Sequence, residues 1–195
     1  MSNASSLRRA NASLPVPPRW RKDVERVLIT DKQLAKRIRQ MARQIERDFQ
    51  DREMVVVSLL NGTVMFIGDL IRHLSHPLRL DFMGVSSYGK GTESGELVFT
   101  KELRLDVKGR DVLIVDDILD TGATLAYLAE MFAAREPASI KTCVMVRKAK
   151  PEAVPALVDY VGFEIPDEWV VGYGLDYADR FRTLPYIATV EPGTG

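Results

Sequence analysis

The sequence predicts an α/β fold in which a mostly parallel, twisted sheet is flanked by helices. Short apolar runs of strand length alternate with segments whose apolar residues recur at helical spacing, a pattern typical of strand–helix–strand units. The chain has 195 residues, of which 46% are hydrophobic, so it can bury one substantial core. In such sheets ligands bind beyond the carboxyl ends of the strands, and we expect the functional residues there.

The predicted elements follow one another in a regular order. Residues 30–49 form an amphipathic helix, since five apolar residues recur every three or four positions. Residues 54–60 form a strand, and a glycine-containing turn leads into a helix at 64–74. Strands at 78–85 and 96–103 enclose a glycine-rich segment that we expect to be a long mobile loop. A buried strand at 112–115, a helix at 124–134 and a buried strand at 140–146 follow.

Composition excludes several functional classes. Lys plus Arg equals Asp plus Glu at 27 each, so no global basic field attracts nucleic acid. The longest apolar runs, such as residues 54–57 and 112–115, are far shorter than the roughly 20 residues that span a bilayer. Residues 1–18 lack an apolar stretch typical of a secretory signal, and we interpret them as a flexible leader. The single Cys143 lies in an apolar run and is expected to be a buried, inert thiol, so we predict a cytoplasmic protein.

The stretch VLIVDDILDTGATL at 112–125 has the strongest chemical pattern. An apolar strand ends in Asp116 and Asp117, and Asp120 follows. A helix start can hold a phosphate through its backbone N–H groups, here those of Thr121, Gly122, Ala123 and Thr124. Carboxylates beside an anion site suit a ligand that offers hydroxyl groups or brings a divalent cation. A magnesium-bound phosphosugar meets both conditions, with its ribose hydroxyls donating to Asp116 and Asp117.

Two other interpretations of this stretch are weaker. An apolar strand that ends in two aspartates also occurs in nucleoside triphosphatases, but the chain contains no G-x-x-x-x-G-K-[ST] loop. Acidic residues can simply cap the following helix, which would explain one aspartate but not three acids followed by a Thr-Gly-Ala-Thr turn.

The same stretch resembles the phosphoribosyl-pyrophosphate binding motif of the phosphoribosyltransferases. Three further segments, SLLNGTVMF, VSSYG and VGFEIPDEWVVGYGLDYADRFRTLPYI, narrow the resemblance to the hypoxanthine(-guanine) phosphoribosyltransferases of purine salvage, over residues 54–190. The resemblance implies a type I phosphoribosyltransferase fold with a small hood built from terminal segments. Residues 19–195 would then form a single domain, with the hood largely from about 150–195.

The resemblance also implies a reaction. The phosphoribosyl group of phosphoribosyl pyrophosphate would pass to N9 of hypoxanthine, and of guanine, giving IMP or GMP and pyrophosphate, with Mg²⁺ as cofactor. Asp120 matches the proposed general base near the purine N7, and Asp116 and Asp117 match the acids that address the ribose hydroxyls. Homo-oligomers are usual in the family, so we expect a homodimer or homotetramer.

The remaining roles are also implied residue by residue. Pyrophosphate would be bound by the backbone amides of Leu60, Asn61 and Gly62, with a cis peptide between the first two, and by Arg182. The mobile flap would contain Ser87 and Tyr88. Purine binding would involve Lys148, with Arg147 as the alternative, together with Trp169 and Val170. The metal ligand would be Asp176, with Asp116 and Asp117 as possible further ligands.

Two rival functions stay open at this stage. A relative that prefers xanthine would need a donor facing C2 of the base, and the sequence does not identify the groups there. A regulatory protein that binds RNA with the same fold would favour a basic stripe, which the balanced charge does not indicate, and would not need Asp120.

Overall fold

The computed structural model of the chain describes residues 16–50, 52–87, 97–150, 158–191 and 193. These residues form two compact units: one contains the described residues of Met1–Lys36 and Glu168–Gly195, and the other those of Arg37–Asp167. A short 3₁₀ helix at Pro18–Trp20 precedes the main elements. In chain order they are β1 (Val24–Ile29), α1 (Asp31–Phe49), β2 (Met54–Leu60), α2 (Val64–Ile71), β3 (Leu78–Ser87), β4 (Leu97–Lys101), β5 (Asp111–Leu119), α3 (Ala123–Ala133), β6 (Ser139–Lys148), β7 (Tyr160–Ile165), β8 (Val170–Val171) and β9 (Ile187–Val190).

The larger unit is built on a six-stranded sheet in the order β4–β3–β2–β5–β6–β7. All neighbouring strands are parallel except β3 and β4, which are antiparallel. This arrangement confirms the predicted mostly parallel sheet. The strand order changes direction between β2 and β5, and the crevice beyond the carboxyl ends of the strands at such a point is where ligands bind.

The central strands and helix α1 follow the predicted apolar patterns. Strands β2, β5 and β6 consist largely of buried residues, as expected for strands covered on both faces. The first turn of α1 is closed by Thr30 and Gln33: the Gln33 N–H donates to Thr30 Oγ1 at 3.2 Å, and Thr30 N–H donates to Gln33 Oε1 at 2.8 Å. The inward face of α1 is fully buried and contains Leu34, Ile38, Met41, Ile45 and Phe49.

Helix α2 is shorter than predicted. We predicted a helix to residue 74, but α2 ends at Ile71. The His73 N–H donates to the Leu70 carbonyl at 3.0 Å, and the Leu74 N–H donates to the Ile71 carbonyl at 3.2 Å. These bonds join residues three apart, so residues 72–74 form a tight turn and not a further turn of α-helix. The apolar spacing that we used for the prediction continues through this turn.

Strand β4 is also shorter than the predicted strand at 96–103, of which residue 96 lies outside the described residues. The chain leaves the sheet after Lys101 because the buried Asp81 carboxylate accepts the N–H groups of Arg104 at 2.7 Å and Leu105 at 3.0 Å. The Lys101 ammonium also lies 2.9 Å from Asp81 Oδ1. Burial alone would raise the pKa of Asp81, but the hydrogen bonds from Lys101 and from backbone N–H groups hold it well below its usual range.

The smaller unit is built from both ends of the chain, as the resemblance implied. Its antiparallel sheet has the order β1–β9–β8, and β1 was not predicted. The ring of Trp20 packs on Phe181 with centroids 4.5 Å apart. Of the predicted leader, residues 1–15 lie outside the described part, and Val16 packs on the core of this unit. That core contains Val24, Val27, Val171, Phe181, Leu184, Tyr186, Ala188 and Val190.

The only cysteine of the chain lies in the buried core. Cys143 is a free, fully buried thiol, and burial raises its pKa far above the usual range, so the prediction of an inert cysteine is confirmed. Within the described ranges, no helix is both long enough and apolar enough to cross a membrane.

Candidate active site

Strand β5 carries the acidic pair at its carboxyl end. We predicted that the strand would end at residue 115, but β5 continues to Leu119 because it pairs with β6 as far as Arg147. Asp116 is buried, and its Oδ1 accepts the Asp117 N–H at 2.9 Å. Burial, and then the negative charge of Asp117, raises the pKa of Asp116 well above its usual range. A pKa shift in this direction favours the neutral form of Asp116 over the charged form.

The loop after β2 packs directly on this pair. Gly62 is buried, and a Cβ atom at Gly62 would lie only 1.6 Å from Asp117 Oδ2. The Leu60–Asn61 peptide bond is cis, as the resemblance implied. Ser58 and Thr63 hold the loop from inside, since the Ser58 hydroxyl donates to Thr63 Oγ1 at 2.8 Å and the Thr63 hydroxyl donates to the Leu59 carbonyl. Gly62, which we predict to bind pyrophosphate, and Asp117, which we predict to bind the ribose, therefore lie side by side in the larger unit.

The predicted phosphate loop leads into helix α3, which begins at Ala123, one residue before the predicted start. Gly122 has φ of 84°, a left-handed conformation that favours glycine over residues with a Cβ atom. Thr121 is exposed, and its Oγ1 lies 3.4 Å from the Ala123 N–H. The first turn of a helix leaves N–H groups without partners inside the helix, so this loop can donate to an anion.

Asp120 lies beyond the end of β5, among three other charged side chains. The Lys150 ammonium is 2.6 Å from Asp120 Oδ1, and the Lys148 ammonium is 3.7 Å from Asp120 Oδ2. Both lysines also contact Asp167 Oδ1, Lys148 at 3.5 Å and Lys150 at 3.4 Å. The side chain of Asp120 is 45% exposed, so a ligand can reach this carboxylate.

The two candidate purine-binding residues on β6 lie in different surroundings. Adjacent residues of a strand project to opposite faces of the sheet, so the side chains of Arg147 and Lys148 cannot both face the same ligand. Arg147 pairs with Glu164 on the neighbouring strand β7, with its Nε 2.9 Å from Glu164 Oε1. That hydrogen bond raises the pKa of Arg147. Lys148 is the residue that lies beside Asp120.

In the smaller unit, Trp169 presents an exposed ring, with 54% of the residue accessible. Tyr177 packs edge-on against this ring, with centroids 5.6 Å apart and planes at 80°. The Tyr177 hydroxyl accepts the N–H of Gly193 at 3.0 Å. Val170 is buried and pairs with Thr189 in the sheet. The Trp169 ring is therefore positioned to stack on a flat ligand.

The smaller unit also contains Asp176, the first predicted metal ligand, and Arg182, one of the predicted pyrophosphate residues. The Arg182 guanidinium lies 2.8 Å from Asp176 Oδ1, and the Asp179 N–H donates to Asp176 Oδ2 at 2.8 Å. Arg182 also donates to the Gly174 carbonyl at 2.9 Å. Both side chains are partly exposed. The predicted flap begins where β3 ends at Ser87, and Tyr88 lies outside the described residues.

Two residues at Asp120 were not assigned from the sequence. Lys150 lies two positions after Lys148, and Asp167 follows Pro166. A charged pair of lysines with this spacing was visible in the segment RKAK, but only a turn at Lys150 brings its side chain to Asp120.

Comparison with known proteins agrees with this geometry. A family described as phosphoribosyl transferase domain matches residues 28–178. A hypoxanthine-guanine phosphoribosyltransferase from Bacillus subtilis is 43% identical over 171 residues, which cover 87% of this chain and 95% of that protein. The Mycobacterium tuberculosis protein of the same name is 42% identical over 179 residues, covering 87% of this chain and 88% of that protein.

Solved structures give the same result. A hypoxanthine phosphoribosyltransferase from Staphylococcus aureus has a TM-score of 0.85 and 38% identity, covering 91% of this chain and 97% of that chain. A hypoxanthine phosphoribosyltransferase from Trypanosoma cruzi, in a ternary complex with substrates, has a TM-score of 0.81 and 40% identity, covering 88% of this chain and 97% of that chain.

Proposed function

Because the chain belongs to the phosphoribosyltransferase family and, within it, to the hypoxanthine-guanine phosphoribosyltransferases of purine salvage, we propose the following reaction and division of roles. The phosphoribosyl group of phosphoribosyl pyrophosphate is transferred to N9 of hypoxanthine, and of guanine as a second substrate. The products are IMP or GMP and pyrophosphate. The residues with these roles belong to the central sheet of the type I phosphoribosyltransferase fold and to the small unit of terminal segments.

One observation carries the proposal. A glycine-containing loop leads into α3, and the carboxylate just before it, Asp120, lies within ion-pair distance of Lys148 and Lys150. The loop suits the 5′-phosphate of a phosphosugar, and the carboxylate and lysines suit the polar edge of a 6-oxopurine, where N7 and O6 lie side by side.

Binding of the phosphosugar is assigned to the β5–α3 segment and the loop after β2. The amides of Thr121, Gly122, Ala123 and Thr124 hold the 5′-phosphate, and Asp116 and Asp117 accept from the ribose hydroxyls. The buried contact between Gly62 and Asp117 supports this division, because it places the amides assigned to pyrophosphate, those of Leu60, Asn61 and Gly62, next to the acids assigned to the ribose.

Purine binding is assigned to Asp120, Lys148, Trp169 and Val170. Asp120 accepts the proton from purine N7 as general base, which requires a carboxylate within hydrogen-bond reach of that atom. Lys148 donates to O6, and its position beside Asp120 supports this role over the alternative, Arg147. The Trp169 ring stacks on the base, where aromatic contact stabilises a flat heterocycle, and Val170 contacts the base edge through its backbone.

The cofactor is proposed to be Mg²⁺, held by Asp176, with Asp116 and Asp117 as further candidate ligands. Carboxylate oxygens are the ligands that this ion prefers, and Asp176 is partly exposed. Within the described part of the chain no three acidic, histidine or cysteine side chains form a ready metal cluster, but Mg²⁺ often binds through one or two carboxylates and substrate phosphates. A bound ion would supply positive charge to balance the negative charge of pyrophosphate.

Arg182 is assigned to pyrophosphate, since its fork of N–H groups can donate in pairs to phosphate oxygens. Its contact with Asp176, the proposed Mg²⁺ ligand, supports this role, because Mg²⁺ and pyrophosphate would bind together. Ser87 and Tyr88 are assigned to a flap that excludes water while positive charge develops on the ribose. Assembly into a homodimer or homotetramer and a cytoplasmic location remain predictions.

The experiment that tests this function is nucleotide formation from phosphoribosyl pyrophosphate and Mg²⁺, with hypoxanthine, guanine, xanthine and adenine offered separately. We expect turnover with hypoxanthine and guanine and little with adenine. Reactions without phosphoribosyl pyrophosphate, or with a metal chelator, are the controls. No product with any of the four bases would refute the proposed function, and a strong preference for xanthine would overturn the assignment of the bases.

A further inference from the structure

The Lys150 ammonium lies closer to the Asp120 carboxylate than the Lys148 ammonium does. It lies 2.6 Å from Asp120 Oδ1, whereas the Lys148 ammonium lies 3.7 Å from Oδ2 of the same carboxylate. The Lys150 side chain is only 26% exposed, although the residue lies two positions after β6 ends. The proposed function gives this lysine no role.

The backbone explains how two lysines reach one carboxylate. The Ala149 N–H donates to the Ile165 carbonyl at 2.9 Å, which extends the contact between β6 and β7 by one residue. The Lys150 N–H then donates to the Lys148 carbonyl at 3.0 Å, which closes a tight turn. This turn, just after β6 ends, brings the Lys150 ammonium to the same carboxylate, Asp120, that the Lys148 ammonium contacts.

The two carboxylate oxygens of Asp120 have different contacts. Oδ1 lies at ion-pair distance from Lys150, and Oδ2 lies at the longer distance from Lys148. A carboxylate on a short side chain rotates about one terminal bond with a broad preference, so a fixed partner on one oxygen sets the direction of the other. Oδ2 is therefore the oxygen available to a ligand.

We propose that Lys150 is a positioning residue, which holds Asp120 through Oδ1 so that Oδ2 faces the N7 proton of the bound purine. This inference rests on the proposed function of Asp120. It follows the general arrangement in which a catalytic base is oriented by a further group that does not touch the substrate. Asp167, whose Oδ1 lies 3.4 Å from the same ammonium, is a second carboxylate that holds Lys150 in place.

The charge of Lys150 suits this role. The close contact with Asp120 raises the pKa of Lys150, and Asp167 adds to the effect, so the side chain stays an ammonium at neutral pH. An ion pair with this exposure contributes little to folding. Loss of Lys150 should therefore affect turnover much more than stability.

The test compares the wild-type enzyme with Lys150→Met and Lys150→Arg, using Lys108→Met as the control. Lys108 forms an exposed ion pair with Glu136. We expect Lys150→Met to lower kcat about 10- to 100-fold, since a displacement of about 1 Å can cost up to 10²-fold. The KM for phosphoribosyl pyrophosphate should stay within about twofold. Lys150→Arg should restore most of kcat, and Lys108→Met should match the wild type.

The outcomes separate this inference from the function on which it rests. No nucleotide formed by the wild-type protein would refute the proposed function and the role of Lys150 with it. A wild-type protein that turns over, with a Lys150→Met variant of equal kcat, would refute the role of Lys150 alone. The same holds if Lys150→Arg is as slow as Lys150→Met, or if thermal unfolding shows that kcat falls only because the variant is unfolded at the assay temperature.

Discussion

The contact between Gly62 and Asp117 leads to a prediction that can be worked out from distances. In Gly62→Ala the new Cβ atom would lie 1.6 Å from Asp117 Oδ2 and 2.6 Å from Asp117 Cγ, and real Cβ contacts are essentially never shorter than 3.0 Å. The Asp117 carboxylate must therefore retreat by well over 1 Å. Its Oδ1 accepts the Ile118 N–H at 3.0 Å, so this hydrogen bond is weakened by the movement.

The expected effects on stability and on activity differ in size. Loss of one hydrogen bond costs about 1 kcal/mol of unfolding free energy, which corresponds to roughly 2–4 °C in Tm for a chain of this size. A catalytic or binding group displaced by about 1 Å can reduce the rate about 10²-fold. That factor equals about 2.7 kcal/mol of transition-state stabilisation. We therefore expect Gly62→Ala to lower kcat/KM for phosphoribosyl pyrophosphate about 100-fold with a small loss of stability.

The assay measures initial rates at varied phosphoribosyl pyrophosphate with saturating hypoxanthine, alongside thermal unfolding. Gly68→Ala is the matched control, because Gly68 lies inside helix α2 and a Cβ atom there meets nothing within 4 Å. We expect that variant to keep its activity and to gain up to about 1 kcal/mol of stability. A Gly62→Ala enzyme with kcat/KM within threefold of the wild type would refute the assignment of Asp117 to substrate binding.

Three further predictions concern other residues. Asp120→Asn should reduce kcat about 10²- to 10⁴-fold while calorimetry shows unchanged affinity for phosphoribosyl pyrophosphate. Lys148→Ala should weaken the preference for hypoxanthine over adenine in competition assays, whereas Arg147→Ala, which removes only a partly exposed pair with Glu164, should not. Asp81→Asn should lower the unfolding free energy at pH 7 by about 1–3 kcal/mol. Because the pKa of Asp81 is depressed by folding, its contribution is present above about pH 4 and is lost as the pH falls further, so urea unfolding of the variant and the wild type should converge in acid.

Each of these predictions has an outcome that contradicts it. Equal loss of substrate affinity and turnover in Asp120→Asn would make Asp120 a binding residue only. A change of base preference in Arg147→Ala but not in Lys148→Ala would exchange the roles of the two residues. A constant difference in stability between Asp81→Asn and the wild type from pH 7 to pH 3 would mean that the ionised carboxylate of Asp81 contributes nothing.

The β5–α3 segment could be predicted from sequence because its parts are contiguous. An apolar strand, a glycine with left-handed φ and a helix start follow each other within 112–125, so the relation of Asp116, Gly122 and Ala123 needs no distant contact. Helix α1 was equally predictable, since its buried face repeats with the period of a helix. The assignment of purine and pyrophosphate residues depended on the family resemblance, and no single spacing would have identified them.

Other features could not be predicted, because they depend on which distant segments meet. Strand β1 is a short run of mixed residues, VERVLI, that becomes a strand by pairing with β9 near the other end of the chain. The length of β4 is decided by the carboxylate of Asp81, on the neighbouring strand. The role proposed for Lys150 depends on a turn after β6, and the alternation along the strand does not extend to it.

The pairing of β1 with β9 has a consequence for synthesis on the ribosome. Ile29 pairs with Ile187, so β1 leaves the ribosome long before its partner is made. At roughly 5–20 residues per second, translation leaves β1 without β9 for about 8–30 s. During that time the larger unit, whose strands lie between the two, can fold as soon as its last strand β7 is made. We expect a chain that ends before β9 to form the larger sheet while β1 remains an unpaired strand that is open to aggregation and to chaperones.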